Sequence, residues 1–395
     1  MDWAASAEIP LVSFNVDSFT SYGKEQGFNA PTSKGAAFRY GAALNALLRR
    51  EGRHRLRIAD TTIAFWADAS AHEQSEVFAQ ATEEAVLLFF EEEQPSKDKP
   101  PNDSEFTSLV EDALKKVAKG RAQADVDLAL IDGVGFNVLG LAPNVARVAV
   151  RFWISNTFGQ FRRALDSHAR AVAILPRPWG DKPPSVQRLL VKTTALQEKF
   201  ENIPDGLVGD VMRAVLQGVG TPYPRTWLAA TVIRLRAGDT PSGWHAAAIK
   251  ACLSRMQHEE TPPVSLDEKN PHDAYHLGRL FAVLEAAQYA ALGRVNASIA
   301  DRYYGAASST PARVFGTLMR NARNHISDAR KRGRGLWIEP RLQQIINCLQ
   351  AELPHTLRLE DQGRFAVGYY HERAHRPSRA EAETEEASPE MQGEE

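Results

Sequence analysis

Between Arg313 and Arg334 the chain carries seven basic side chains and a single acid, Asp328. A guanidinium presents a planar fork of donors that suits a phosphate. Several on one helix face can follow a nucleic-acid backbone without reading its bases. At about 100° per residue, a helix here sets Arg313, Arg320 and Lys331 nearly in line, flanked by Arg323 and Arg330. The same winding gathers Val314, Leu318, Ala322, His325, Ile326 and Ala329 on the opposite side. A plain solvated face, or one paired with acids elsewhere, has the same pattern. Arg147 and Arg151 form a second candidate, two residues on one side of an expected strand with Trp153 available for stacking. A solvent-facing strand is the competing reading there. A third basic stretch, RREGRHR, covers Arg49 to Arg55.

Bond-breaking chemistry finds no comparable support. His272-Asp273, inside NPHDAYH, has the residue types of a metal phosphohydrolase, but no partner motif supplies the further ligands such a site needs. Asn270, Pro271 and Asp273 read instead as a helix start. Gly133, Gly135 and Gly140 match neither a dinucleotide fingerprint nor a phosphate loop, and read as a turn between strands. No G-x-S-x-G occurs, and neither Cys252 nor Cys348 has a base beside it. Two distant cysteines also exclude a disulfide framework and a four-cysteine zinc site. No cofactor is implied.

The elements that must position these residues fall into three parts and a tail. Up to Trp153, strands and helices mix. LVSF (Leu11 to Phe14), TTIAFWAD (Thr61 to Asp68) and VARVAVRFW (Val145 to Trp153) read as strands, the last with Val148, Val150 and Phe152 on one face. Gly35 to Arg50 and His72 to Glu92 read as helices, and the charged, proline-rich Glu91 to Glu105 as an exposed loop. Residues 154–239 connect, with Val186 to Leu235 mostly helical. Residues 240–372 form a helical bundle. There Leu277, Leu280, Phe281 and Leu284 make one apolar stripe, and Leu342, Ile345, Ile346 and Leu349 another. Thr310 suits an N-cap and Pro311 the first helical position. The tail, residues 373–395, holds seven acids and three arginines, has almost no apolar residues and reads as disordered. The net charge of −2 hides this asymmetry, because the tail alone is −4. No eighteen-residue apolar run or secretory leader is present, so a cytoplasmic protein with no membrane partner is expected.

Six of these segments, in order, resemble the type I-C CRISPR-associated large subunit, the Csd-one family. They are VSFNVDSFTSYGKEQGFNAP (Val12 to Pro31), DTTIAFWAD (Asp60 to Asp68), VLGLAPNVARVAVRFW (Val138 to Trp153), LGRLFAVLEAAQ (Leu277 to Gln288), RVNASIADRYYGAASSTPARVF (Arg294 to Phe315) and LEDQGRFAVGYYHER (Leu359 to Arg373). The resemblance implies a subunit of the Cascade surveillance complex. Its partners would be the other Cascade subunits, the guide-RNA-bearing complex, target double-stranded DNA with its displaced strand, and a recruited helicase-nuclease that does the cutting. It also implies a C-terminal bundle like the small subunits, which can arise by internal translation of the same gene. Members carry a long N-terminal region ahead of the VSFN stretch, which here begins at Val12. The chain is therefore expected to be a fragment, a truncated gene product or the result of a late start, and no motif-reading residue is carried over.

The combined expectation is an α+β protein, a mixed strand and helix N-terminal portion (1–153) followed by a C-terminal α-helical bundle. It would bind nucleic acid and catalyse nothing. Arg313, Arg320, Arg323, Arg330 and Lys331 are the first candidates for backbone contact. Arg147 and Arg151, with Lys24 and Arg39 near the first matching stretch, are the second. Tyr303, Tyr304 and the GYYHER tyrosines compete between base stacking and core packing. The alternative function is a purely structural docking subunit without DNA contact.

Overall fold

The computed structural model describes residues 14, 16–49, 54–58, 60–70, 76, 79–80, 82–83, 132–144, 147–180, 184–293 and 295–375. Among these the fold is α+β, an antiparallel sheet in the N-terminal half and a helical C-terminal region. Two compact units form: Met1–Ala169, Asp181–Val191 and Leu196–Tyr223 in the first, and Arg170–Gly180, Lys192–Ala195 and Pro224–Glu395 in the second. The expected connecting region, 154–239, thus divides between them. LVSF up to Ser13, most of His72 to Glu92, the loop after it and the acidic tail from Arg376 lie outside the described residues.

In the first unit, α1 (Lys34–Leu47) begins at Ser33, whose side chain accepts from the Ala36 N–H at 3.2 Å. This is the serine cap that leaves a helix N-terminus satisfied. The sheet is a meander of β1 (Arg55–Ile58), β2 (Thr61–Asp68), β3 (Gly135–Asn144) and β4 (Arg147–Thr157), in sequence order and antiparallel throughout. Ile63, Phe65, Phe136, Val138 and Ile154 are buried. The helix α2 (Phe158–Val172) follows β4 directly and brings Phe158 and Phe161 against Phe136, the latter with ring centroids 4.9 Å apart.

Two expectations fail on β3 and β4. Gly135 and Gly140 lie inside β3 and not in a turn, because the Phe152 ring occupies the space a Gly140 side chain would need; a Cβ there would come within 2.3 Å of it. At the same place the register slips: Gly140 pairs with Phe152 but Leu141 with Val150, leaving Arg151 as the extra residue of a β-bulge. The alternation that would have put Val150 beside Phe152 is broken, and Val150 is 61% exposed while Phe152 is buried. The 186–235 stretch is helical as expected, in α3 (Val186–Lys192), α4 (Leu207–Gln217) and α5 (Arg225–Ala237).

The second unit is a helical assembly of α5, α6 (Gly243–Ser254), α7 (Asp273–Leu292), α8 (Ile299–Ala307), α9 (Pro311–Lys331), α10 (Ile338–Ile346) and α11 (Leu359–Ala374). NPHDAYH is the start of α7, with His272 as the N-cap. The Leu277–Leu284 stripe is buried, but so is nearly every other face from Ala274 to Ala287, the mark of a helix surrounded by others. The second stripe is narrower than expected. Leu342 and Ile345 are buried, Ile346 is 40% exposed, and α10 ends before Leu349.

Helices α7 and α11 touch backbone to backbone. A Cβ on Gly278 would lie 2.0 Å from the Phe365 carbonyl oxygen, and one on Gly368 would lie 2.1 Å from that of Tyr275. Aromatic rings close the space alongside: Tyr304 meets Phe281, Phe365 and Tyr369 with centroids 5.5–5.9 Å apart. The charges on these two helices are paired internally. Arg279, fully buried, meets Glu372 at 2.9 Å, and Arg341 holds the other Glu372 oxygen at 2.5 Å. Removing one partner of such a pair leaves an uncompensated buried charge.

Two measurements check this packing. Gly278→Ala gains about 1 kcal/mol of intrinsic helix propensity but must force two backbones apart. Equilibrium denaturation should show net destabilisation of about 1–3 kcal/mol; stabilisation would refute the close contact. Burial lowers the pKa of both His245 and His371 to about 4, from 6.5. Between these values the unfolded chain takes up protons that the folded chain refuses, so stability falls as pH drops from 6.5 towards 4, by about 3 kcal/mol per histidine. The pH profile of unfolding should flatten in His245→Asn and His371→Asn, whatever their stability at pH 7.

Candidate nucleic-acid interface

Helix α9 is built as its sequence dictates. Thr310 is the N-cap and Pro311 opens the helix. The Thr310 hydroxyl, however, donates back to the Ala306 carbonyl at 3.2 Å and caps nothing. Phe315, Leu318, Ala322 and Ala329 are the buried side of the helix. Phe315 is deeper than the expected Val314, which is only half-buried, as are His325 and Ile326. Arg313, Arg320, Arg323, Arg330 and Lys331 are all exposed. From Arg313 to Lys331 the helix rises about 27 Å, the axial length of roughly eight base pairs of duplex at 3.4 Å per step.

The five cations are not equivalent. Arg330 is ion-paired with Glu339 in the first turn of α10, and Lys331 lies 3.3 Å from Asp328. Among the described residues Arg320 donates only to the Thr317 hydroxyl, at 3.2 Å. Arg313, Arg320 and Arg323 have no acidic partner among the described residues. These three keep their full charge available to an anion, whereas Arg330 and Lys331 are partly neutralised on the spot. Beyond the helix end Arg334 is also exposed, and Arg332 donates to the Ala291 carbonyl. Arg334 belongs to the same basic run, so its charge was visible in sequence although its position past the last helical turn was not.

The other candidates lie elsewhere. Arg147 stands opposite Asn144 where the β3–β4 pairing ends. Arg151 is the bulge residue, 3.6 Å from Asp60, and its backbone carbonyl accepts from Arg213 of α4. Its stem fills the space beside Gly209, whose Cβ would come within 3.0 Å of it. Arg151 is thus tied into the first unit. Trp153 is 61% exposed and meets Trp66 edge to face at 6.0 Å. Lys24 and Arg39 are exposed, in the N-terminal loop and on α1. Of RREGRHR, Arg49 is exposed and Arg55 donates to the Leu48 carbonyl at 3.2 Å; Arg50 to Arg53 lie outside the described residues. One tyrosine of each pair is core: Tyr304 and Tyr369 are buried, the latter donating to Glu285 at 2.9 Å, and burial raises both pKa values, while Tyr303 and Tyr370 are half-buried. Tyr370 donates to the Pro176 carbonyl at 2.5 Å.

No group of three or more His, Cys, Asp or Glu placed to hold a metal occurs among the described residues. Cys252 is buried, and burial raises its thiol pKa. No described helix is long and apolar enough to cross a membrane.

The described residues thus form a mixed sheet-and-helix unit and a tightly packed helical unit, the latter with three exposed arginines on α9 that have no acidic partner among the described residues. Residues 2–376 match the family model described as CRISPR-associated protein (Cas_Csd1), and the chain belongs to that family. Membership makes it a CRISPR-associated subunit of the Cascade type, working with other Cascade components. No curated protein matches the chain.

Because the three arginines are exposed and have no acidic partner among the described residues, Arg313→Ala, Arg320→Ala and Arg323→Ala together should change unfolding free energy by less than about 1 kcal/mol. Arg279→Ala, which removes the fully buried partner of Glu372 and leaves Arg341 as its remaining cation, should cost about 2–3 kcal/mol. Denaturant titration of both variants distinguishes exposed charges that contribute little to stability from charges that hold the fold.

Proposed function

We propose that the chain is the non-catalytic, nucleic-acid-binding large subunit of a type I-C RNA-guided surveillance complex, supporting target DNA recognition in antiviral defence. The observation that carries this reading is the row of Arg313, Arg320 and Arg323 on α9, exposed and without acidic partners among the described residues. Exposed cations of one sign on a rigid helix neutralise phosphates and release their counterions, so binding through them is tight and salt-sensitive. Their regular placement reads backbone, not sequence; discrimination in a guide-directed complex comes mainly from base pairing. Family membership supports the surroundings: other Cascade subunits, guide RNA, target duplex with its displaced strand, and a recruited helicase-nuclease that cuts. In this reading residues 240–372 correspond to the small-subunit-like bundle, and the protein works in the cytoplasm.

The test is the salt dependence of target binding by the assembled complex. Replacing Arg313, Arg320 and Arg323 by alanine should weaken duplex binding and reduce the slope of log K against log salt by about 2–3, near 0.9 for each phosphate left without its cation. Unchanged affinity and slope would remove α9 from the footprint. Loss of complex assembly with the same substitutions would show that the arginines meet acidic protein surfaces instead.

A further inference from the structure

A second exposed feature lies far from α9 in the sequence, in the loop Ser21–Asn29. Asn29 is half-buried within it and braces it from inside. Its Oδ1 accepts from the Ser21 N–H at 2.8 Å, and its Nδ2 donates to the carbonyls of Lys24 at 2.8 Å and Gln26 at 3.1 Å. The backbone held this way is costly. Tyr22 and Gln26 have φ of 53° and 42°, in the left-handed region that disfavours residues with a Cβ. Nothing apolar is gained in return: Tyr22 is 98% exposed and Phe28 81%. Lys24 and Phe28 share one shallow concavity with Gly23 and Glu25. Helix α1, just beyond, has no buried residue and leaves Phe38 77% exposed next to Arg39.

We propose that this braced loop is a base-stacking site for single-stranded nucleic acid. The Phe28 ring, which lines the concavity with Lys24, supplies a face for one unstacked nucleobase, the exposed Tyr22 ring a face for another, and Lys24 meets the adjoining phosphate. The idea rests on the proposed nucleic-acid role but on residues independent of α9. Aromatic rings alone would suit a protein partner equally. Here they are interleaved with Lys24, Lys34 and Arg39, and Glu25 shares the concavity. Cations between flat rings match a strand that alternates charged phosphates with π-faces, and Glu25 can accept from an exocyclic base amine. An apolar protein surface would leave those charges desolvated and unmatched.

The experiment uses the full chain and a single-stranded DNA oligonucleotide containing one 2-aminopurine, whose fluorescence is quenched on stacking. Tyr22→Ala with Phe28→Ala should lower affinity about fivefold or more and abolish the quench. The salt slope should stay unchanged, because stacking releases no counterion. Tyr22→Trp with Phe28→Trp should restore the quench, and Asn29→Ala should weaken it with the rings intact. Retained affinity and quench in the double alanine variant overturn the site. So does a double alanine variant that binds the oligonucleotide normally but no longer joins its protein partners. If the α9 arginine substitutions lower affinity while the loop substitutions do not, this site fails and the proposed function stands. The reverse result removes α9 and leaves the loop.

Discussion

The second unit depends on two helices that approach as closely as backbones can. Gly278 of α7 and Gly368 of α11 each leave room for a carbonyl of the opposite helix where any side chain would collide. With the backbones in contact, side chains on either side of the seam have no freedom of position. Phe281, Tyr304, Phe365 and Tyr369 close into one aromatic cluster. Glu372 is brought within reach of Arg279, and Glu285 within reach of Tyr369. A wider separation would open a cavity beside the rings and lengthen the ion pairs in a low-dielectric interior, where both changes are expensive.

The seam also sorts the unit's charges into two populations. Arg279, Arg341 and Arg364 face inward or half inward and are matched by Glu372, Glu268, Glu259 and Asp361. Lys250 is buried against the Arg170 and Ala171 carbonyls at 3.0 Å, and burial lowers its pKa to about 8. These groups hold the structure. Arg313, Arg320 and Arg323 have no such counterpart among the described residues and leave their field in solvent. The interior arginines each meet at least one carboxylate, whereas these three, on one helix, meet none among the described residues.

The first unit solves its packing differently, with a bulge. Gly140 yields its side-chain space to Phe152, and the extra residue Arg151 projects towards Asp60 while its carbonyl accepts from Arg213. An arginine that resembles a groove-lining cation in the strand pattern is thereby joined to the scaffold around it.

The sequence by itself determined the local features. These are the presence of strands at β2 and β4, from their β-branched and aromatic residues, the Thr310–Pro311 helix start, and the apolar and basic sides of α9, from helical periodicity. The family resemblance was legible for the same reason, in short ordered segments. Tertiary structure alone decided which charges are free. Arg279 and Glu285 lie outside the apolar stripe of α7, yet α7 is buried all round because α8, α9, α10 and α11 pack about it, and α11 arrives more than eighty residues later with Glu372 and Tyr369 as their partners. The bulge at Arg151, the pairing of Arg330 with Glu339 and the display of Tyr22 on a loop braced by Asn29 were invisible for the same physical reason. A side chain's charge and shape are local properties, but its burial and its partner depend on segments that only folding brings beside it.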